Sequence, residues 1–148
     1  MAPRMTNPSL VVPGALQPLL DLTEVIGRTG VPQTTLDLVR LRVSQLNGRV
    51  YTFDEEEGSA RPPDERLLLV SDWRTESCFT EAERAALALA EALTLLADPQ
   101  DMAPDEVWEE AARHYTEQEL GALVIHVGLV NLWNRVNVAT RQEPAAWR

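Results

Sequence analysis

A chain of 148 residues with 45% hydrophobic side chains and a formal charge of -10 is sized for one globular core, and its acidity repels a nucleic-acid backbone. All 13 basic residues are arginines, which excludes a Schiff-base lysine and the lysine of a phosphate-binding loop. The single cysteine, Cys78, excludes a dithiol couple within one chain and any disulfide framework. No apolar run approaches the ~20 residues that span a bilayer, and nothing before Pro8 reads as a secretory leader, so a cytoplasmic protein with no membrane contact is expected.

Residues 1–9 read as a flexible tail and residues 10–148 as a single domain. Pro13 opens a helical pattern with Leu16, Leu19, Leu20, Thr23 and Ile26 on one side, stopped by Gly27 and Gly30. Thr34 or Thr35 can cap a second helix with a stripe of Leu36, Val39, Val43 and Leu46. Asn47-Gly48 is a stop signal, after which Val50 to Glu57 can form a short helix. Pro62-Pro63 with Asp64 and Glu65 starts another, running to Trp73.

Two capping boxes follow, in which a Thr accepts from the third helical residue and a Glu at that residue answers. Thr80 to Glu83 opens a helix to about Leu96, stopped by Asp98-Pro99, and Thr116 to Glu119 opens the last helix to about Thr140. Between them, Pro104 to Arg113 forms a shorter amphipathic helix. The last helix is apolar almost all round, which places it centrally or in a subunit interface. No strand alternation persists, so the expected class is all-α, a bundle of about six to seven helices.

One series of residues carries a resemblance. Leu38-Val39-Arg40-Leu41-Arg42-Val43-Ser44-Gln45-Leu46-Asn47-Gly48 is followed by Tyr51 and Asp54, Trp73-Arg74, Phe79-Thr80, Glu83 to Leu87, and Asn131-Leu132-Trp133-Asn134-Arg135. In this order it resembles the carboxymuconolactone decarboxylase superfamily, in its alkylhydroperoxidase D-like branch, over roughly Leu36 to Arg141. The resemblance implies that branch's helical fold and assembly as a dimer, trimer or hexamer.

It also implies where chemistry would sit. In that branch the Asn-Gly turn leads into a C-x-x-C pair at a helix start, with a His four residues later and an acid one helix earlier as proton relay. Those positions here are Arg49, Thr52, Glu56 and Asp37. Neither Arg nor Thr can form a sulfenic acid or a mixed disulfide, so peroxidase chemistry is not expected at this site. Two readings stay open: Asp37, Arg49 and Glu56 close as an ion-pair plug, or Arg49 grips a small carboxylate or lactone while Glu56 or Asp37 moves a proton. Neither calls for a cofactor.

Cys78, near the Thr80 cap, reads as a small buried filler or, more sharply, as a thiol activated beside a helix start. His114 and His126 are too far apart in pattern for a metal pair and read as structural. The run Asp54 to Glu57 lacks the spacing of a calcium loop. Asn131, Asn134 and Arg135 interrupt the apolar last helix and need partners in another helix or subunit, and Trp133 suits an interface anchor.

Overall fold

In the computed structural model, which describes residues 2–49, 51, 64–95, 100 and 102–143, the apolar stripes close seven helices on one another. They are α1 (Pro8–Val11), α2 (Leu16–Ile26), α3 (Gln33–Leu46), a 3₁₀ helix (Glu65–Asp72), α4 (Glu81–Thr94), α5 (Asp105–His114) and α6 (Glu117–Ala139). Among the described residues there is no strand, and no helix is long and apolar enough to cross a membrane. The short helix expected over Val50 to Glu57 and the Asp98-Pro99 stop lie outside the described residues.

α3 organises the packing because it is buried on two sides. Leu36, Val39 and Val43 join a core with Ala86, Leu89, Leu123 and Val127 from α4 and α6. Leu38 and Leu41 face a second core made by Leu67, Val70, Trp73, Phe79 and Leu87. A single stripe was expected on this helix, yet Leu38, Leu41 and Ser44 outside it are buried as well. The expected α-helix before Trp73 is 3₁₀ instead. Its buried residues Leu67 and Val70, with Trp73 after them, repeat every three positions, which suits a helix of three residues per turn.

Helix ends follow the local chemistry in most places. Both capping boxes form, with Thr80 accepting from Glu83 N and Thr116 from Glu119 N. Asn47 ends α3, and Gly48 follows at φ +75°, a left-handed conformation that Gly adopts without a Cβ clash. The start of α3 differs from expectation: Pro32 is the cap and neither threonine serves, since the helix begins at Gln33 and both lie inside its first turn. Pro13 does not begin α2 either, since Gly14 turns the chain at φ +81° and α2 starts at Leu16.

Arg4, Met5 and Asn7, within the stretch read as a flexible tail, are hydrogen-bonded. Asn7 caps α1, Arg4 N donates to Thr140 O at 2.8 Å and its guanidinium to Ala139 O at 3.3 Å, and Gln142 Nε2 donates to Met5 O at 2.9 Å. The last carbonyls of any helix lack intrahelical donors, and this segment supplies two of them to α6. Cys78, expected as a buried filler, is exposed. The 3₁₀ helix and α4 meet through Phe79 at this junction and fill the space without it.

Candidate functional site

Two contacts set the register of α3 against α6. His126 Nε2 meets Leu36 O at 2.9 Å, and Asn134 Nδ2 donates to Ser44 Oγ at 3.2 Å, both pairs 90 residues apart in the chain. A constant offset means the two helices run parallel, so the Ser-Gln-Leu-Asn-Gly block comes level with the Asn-x-Trp-Asn-Arg block. Asn47 Nδ2 there donates to Asn131 Oδ1 at 2.9 Å and to Asn134 Oδ1 at 2.8 Å. Asn131 Nδ2 donates to Val127 O and Thr94 Oγ1, and Arg135 to Asn131 Oδ1. Asn131 and Asn134 therefore find the expected partners within the chain, on α3 and α4, whereas Arg135 pairs along α6 itself.

Of the four positions implied by the resemblance, Thr52 and Glu56 lie outside the described residues. Asp37 and Arg49 are not brought together. Asp37 accepts from Gln33 Nε2 at 3.0 Å on the surface of α3. Arg49 is 7% exposed and donates from Nη1 to Gln142 O at 3.3 Å and from Nη2 to Glu143 O at 3.2 Å, its buried Nε without a partner among the described residues. The reason the expected Asp37–Arg49 pair fails is plain geometry: both belong to one helix and its exit, and the ten residues from Asp37 to Asn47 alone rise about 15 Å. Arg49 holds the segment after α6 rather than a carboxylate of α3.

Beside this lies a cavity of about 260 Å³ between α2, α3 and α6. α6 contributes His126, Leu129, Val130, Trp133, Asn134 and Asn137. Thr23, Arg40 and Tyr51 complete the lining, the Arg40 guanidinium standing 5.1 Å from the Tyr51 ring centre. A carbonyl can only accept, so the proton of a neutral His126 ring sits on Nε2 and Nδ1 carries the lone pair. Burial pushes the His126 imidazole below its usual range; the Leu36 carbonyl opposes this, and the Arg40 charge adds to it. The ring is thus neutral at neutral pH, a proton acceptor at the cavity wall.

His126 was read from the sequence as a satisfied structural histidine, which its Leu36 bond supports, but its place in the cavity was not anticipated. The available signal was spacing: His126, Trp133, Asn134 and Asn137 fall at i, i+7, i+8 and i+11, one face of α6.

A larger hollow, about 440 Å³, lies at the start of α3 among Arg66, Glu83, His114, Tyr115 and Glu119. Its charges are occupied. Arg66 pairs with Glu83 at 2.7 Å and Asp64 at 3.0 Å, and both glutamates serve capping boxes. Burial would raise the Glu83 carboxyl, but the hydrogen bonds from Arg66 and Thr80 N outweigh it and hold it below the usual range. Glu91 behaves alike: burial is outweighed by Trp73 Nε1, Arg74 and Arg42, whose bonds join the end of the 3₁₀ helix to α3 and α4. Among the described residues no group of three His, Cys, Asp or Glu could hold a metal ion.

No family model matches the chain. A protein of unknown function from Agrobacterium tumefaciens, whose crystal structure bears the provisional description antioxidant defence protein AhpD, superposes with a TM-score of 0.77 at 27% identity, over 96% of this chain and 97% of that one. The chain has an alkylhydroperoxidase D-like fold. It is also 28% identical over 139 residues to the uncharacterized protein YdfG of Bacillus subtilis, covering 92% of this chain and 93% of that protein. It is 37% identical over 119 residues to the uncharacterized protein YnjA of Escherichia coli, covering 76% of this chain and 62% of YnjA, so the match spans less than two thirds of that relative. The helical bundle expected from the sequence is thus found as an AhpD-like arrangement.

Proposed function

We propose that this protein works without dithiol peroxide reduction and is a cofactor-independent binder of a small acidic compound, taken up in the α2–α3–α6 cavity. The observation that carries the first half is the cysteine count: the chain has one cysteine, exposed just before α4, and the resemblance puts Arg49 and Thr52 at the positions of the family's pair. A sulfenic acid formed on a first thiol needs a second thiol to resolve it. The second half is supported by the cavity's Arg40 cation, its neutral His126 and its aromatic and amide walls. This moves the proposed carboxylate contact from Arg49, which donates to peptide carbonyls, to Arg40, which lines the cavity and also meets the Tyr51 ring.

Turnover of an alkyl hydroperoxide with a dithiol reductant tests the first half, with no thiol-dependent rate expected. A rate abolished by Cys78→Ser would overturn it. Calorimetric titration with small carboxylates and lactones tests the second, and loss of binding in Arg40→Gln is expected.

A homo-oligomer is part of the same proposal. Ile125 (49% exposed) and Leu132 (39% exposed) lie with Gly121, Gly128 and Arg135 on the open face of α6. A second copy laid antiparallel about Gly128 would set Ile125 against Leu132 and bring Glu117 within about 6 Å of Arg135 along the axis, opposite charges facing. Sizing with light scattering should give a multimer that Leu132→Glu dissociates; a monomeric parent would refute it.

A further inference from the structure

His126 faces the cavity with only one of its two ring nitrogens engaged. Nε2 donates to Leu36 O at 2.9 Å, so Nδ1 carries the lone pair. Arg49 Nε is the one buried side-chain nitrogen or oxygen without a hydrogen bond among the described residues. Nδ1 makes none there either, so it is not sealed inside the protein and keeps access to the open space that the ring lines. An acceptor held in this tautomer is met only by an O–H or N–H donor.

The wall beside it is apolar. His126, Leu129, Val130 and Trp133 fall at i, i+3, i+4 and i+7 of α6, one contiguous face, and all four line the cavity. Side chains on a helix lean toward its N-terminus, so Trp133 covers the turn of Leu129 and Val130, on the His126 side. The charges that act on the imidazole are those of Arg40 and Asp37, both on α3; the first opposes its protonation and the second favours it, while burial opposes it most. From α2 the cavity receives Thr23, which is uncharged. A ligand donor therefore meets a neutral base in apolar surroundings, where a hydrogen bond costs less than a pair of new charges.

An acid that still holds its proton at neutral pH is not a carboxylic acid, which ionises near about pH 4, whereas a phenol, like the tyrosine side chain, ionises near about pH 10. We propose that the cavity takes a phenol, bound un-ionised, with its hydroxyl donating to His126 Nδ1 and its ring against Leu129, Val130 and Trp133. This rests on the reading of the cavity as the site of a small acid and adds which acidic group it takes and which residue receives it.

Titration of the full chain with 4-nitrophenol, 4-nitroanisole and benzoate tests it, 4-nitroanisole having the same ring and no O–H. 4-Nitrophenol should bind about two- to tenfold tighter than 4-nitroanisole. Because only its acid form is taken up, adding protein near neutral pH should reduce the visible absorbance of its anion. His126→Gln keeps a donor for Leu36 O and removes the Nδ1 acceptor. It should lower 4-nitrophenol affinity to that of 4-nitroanisole, with 4-nitroanisole binding and the melting curve at neutral pH unchanged. In the parent, 4-nitrophenol affinity should fall in acid, as His126 takes up a proton, and in alkali, as the phenol loses its own; His126→Gln should lack the acid limb. Equal affinity for the two nitro compounds, a rise in visible absorbance on binding, or undiminished 4-nitrophenol binding in His126→Gln would overturn the phenol inference, and benzoate binding would then leave the acid reading standing. Absence of binding by all three would overturn both.

Discussion

On the side of α6 that meets the exit of α3, Asn131 and Asn134 exchange hydrogen bonds with Asn47, Ser44 and Thr94. On the side toward α2, His126 and Asn137 border a cavity. The residue types are nearly the same, and the difference is whether side-chain amides close on one another between helices or stand beside an open space that Asn134 also lines. Buried amides that close on each other hold two helices in register, since each lost partner would strand a donor or acceptor. His126 and Asn137 have partners too, Leu36 O and Asn7 Nδ2, but their side chains still line an open space. The comparison separates a structural element from a candidate site on one helix.

If that separation is right, damage to paired groups should cost stability and damage to cavity groups should cost binding. The largest effect is expected at Glu83, which loses both the Arg66 pair and a cap: Glu83→Ala should destabilise by about 2–4 kcal/mol in urea unfolding. Asn134→Leu should cost about 1–3 kcal/mol by the same measurement; a neutral result would break the comparison at its first term.

Acid should act on the paired side as well. The folded values of Glu83 and Glu91 lie below their ordinary 4.5, so their contribution is complete above about pH 4.5 and is lost as the pH falls through the lower folded values. Denaturation midpoints from pH 6 to 3 should follow that course. His126 gives a slope at higher pH. Its folded value lies below 6.5, so the unfolded chain binds the proton first and stability falls as the pH drops below about 6.5, by at most about 1.4 kcal/mol per pH unit. His126→Gln should abolish that slope while sparing the fold. Cys78→Ser, exposed and outside both regions, should change stability by no more than about 0.5 kcal/mol.

Much of the architecture was legible because it is encoded locally. A Thr followed three residues later by Glu caps its own helix, as Thr80 and Thr116 do, and Gly48 stops α3 because the next residue needs a left-handed backbone. The two blocks that carried the family resemblance proved to be the two halves of one contact, Asn47 against Asn131 and Asn134. The candidate site was less legible. Asp37 and Arg49 look complementary in one dimension, but a helix holds them about three turns apart.

Sequence alone determined the class of fold, the two capping boxes and the absence of a dithiol couple within one chain, because composition, periodicity and caps act over a few residues. Only the tertiary structure decided that α3 and α6 run parallel with an offset of 90 residues, that Arg49 turns to the chain after α6, and that His126 joins Arg40 around a cavity. Those outcomes depend on which helices pack and at what register, a choice made by the two shared cores on α3 rather than by any residue's neighbours in the chain.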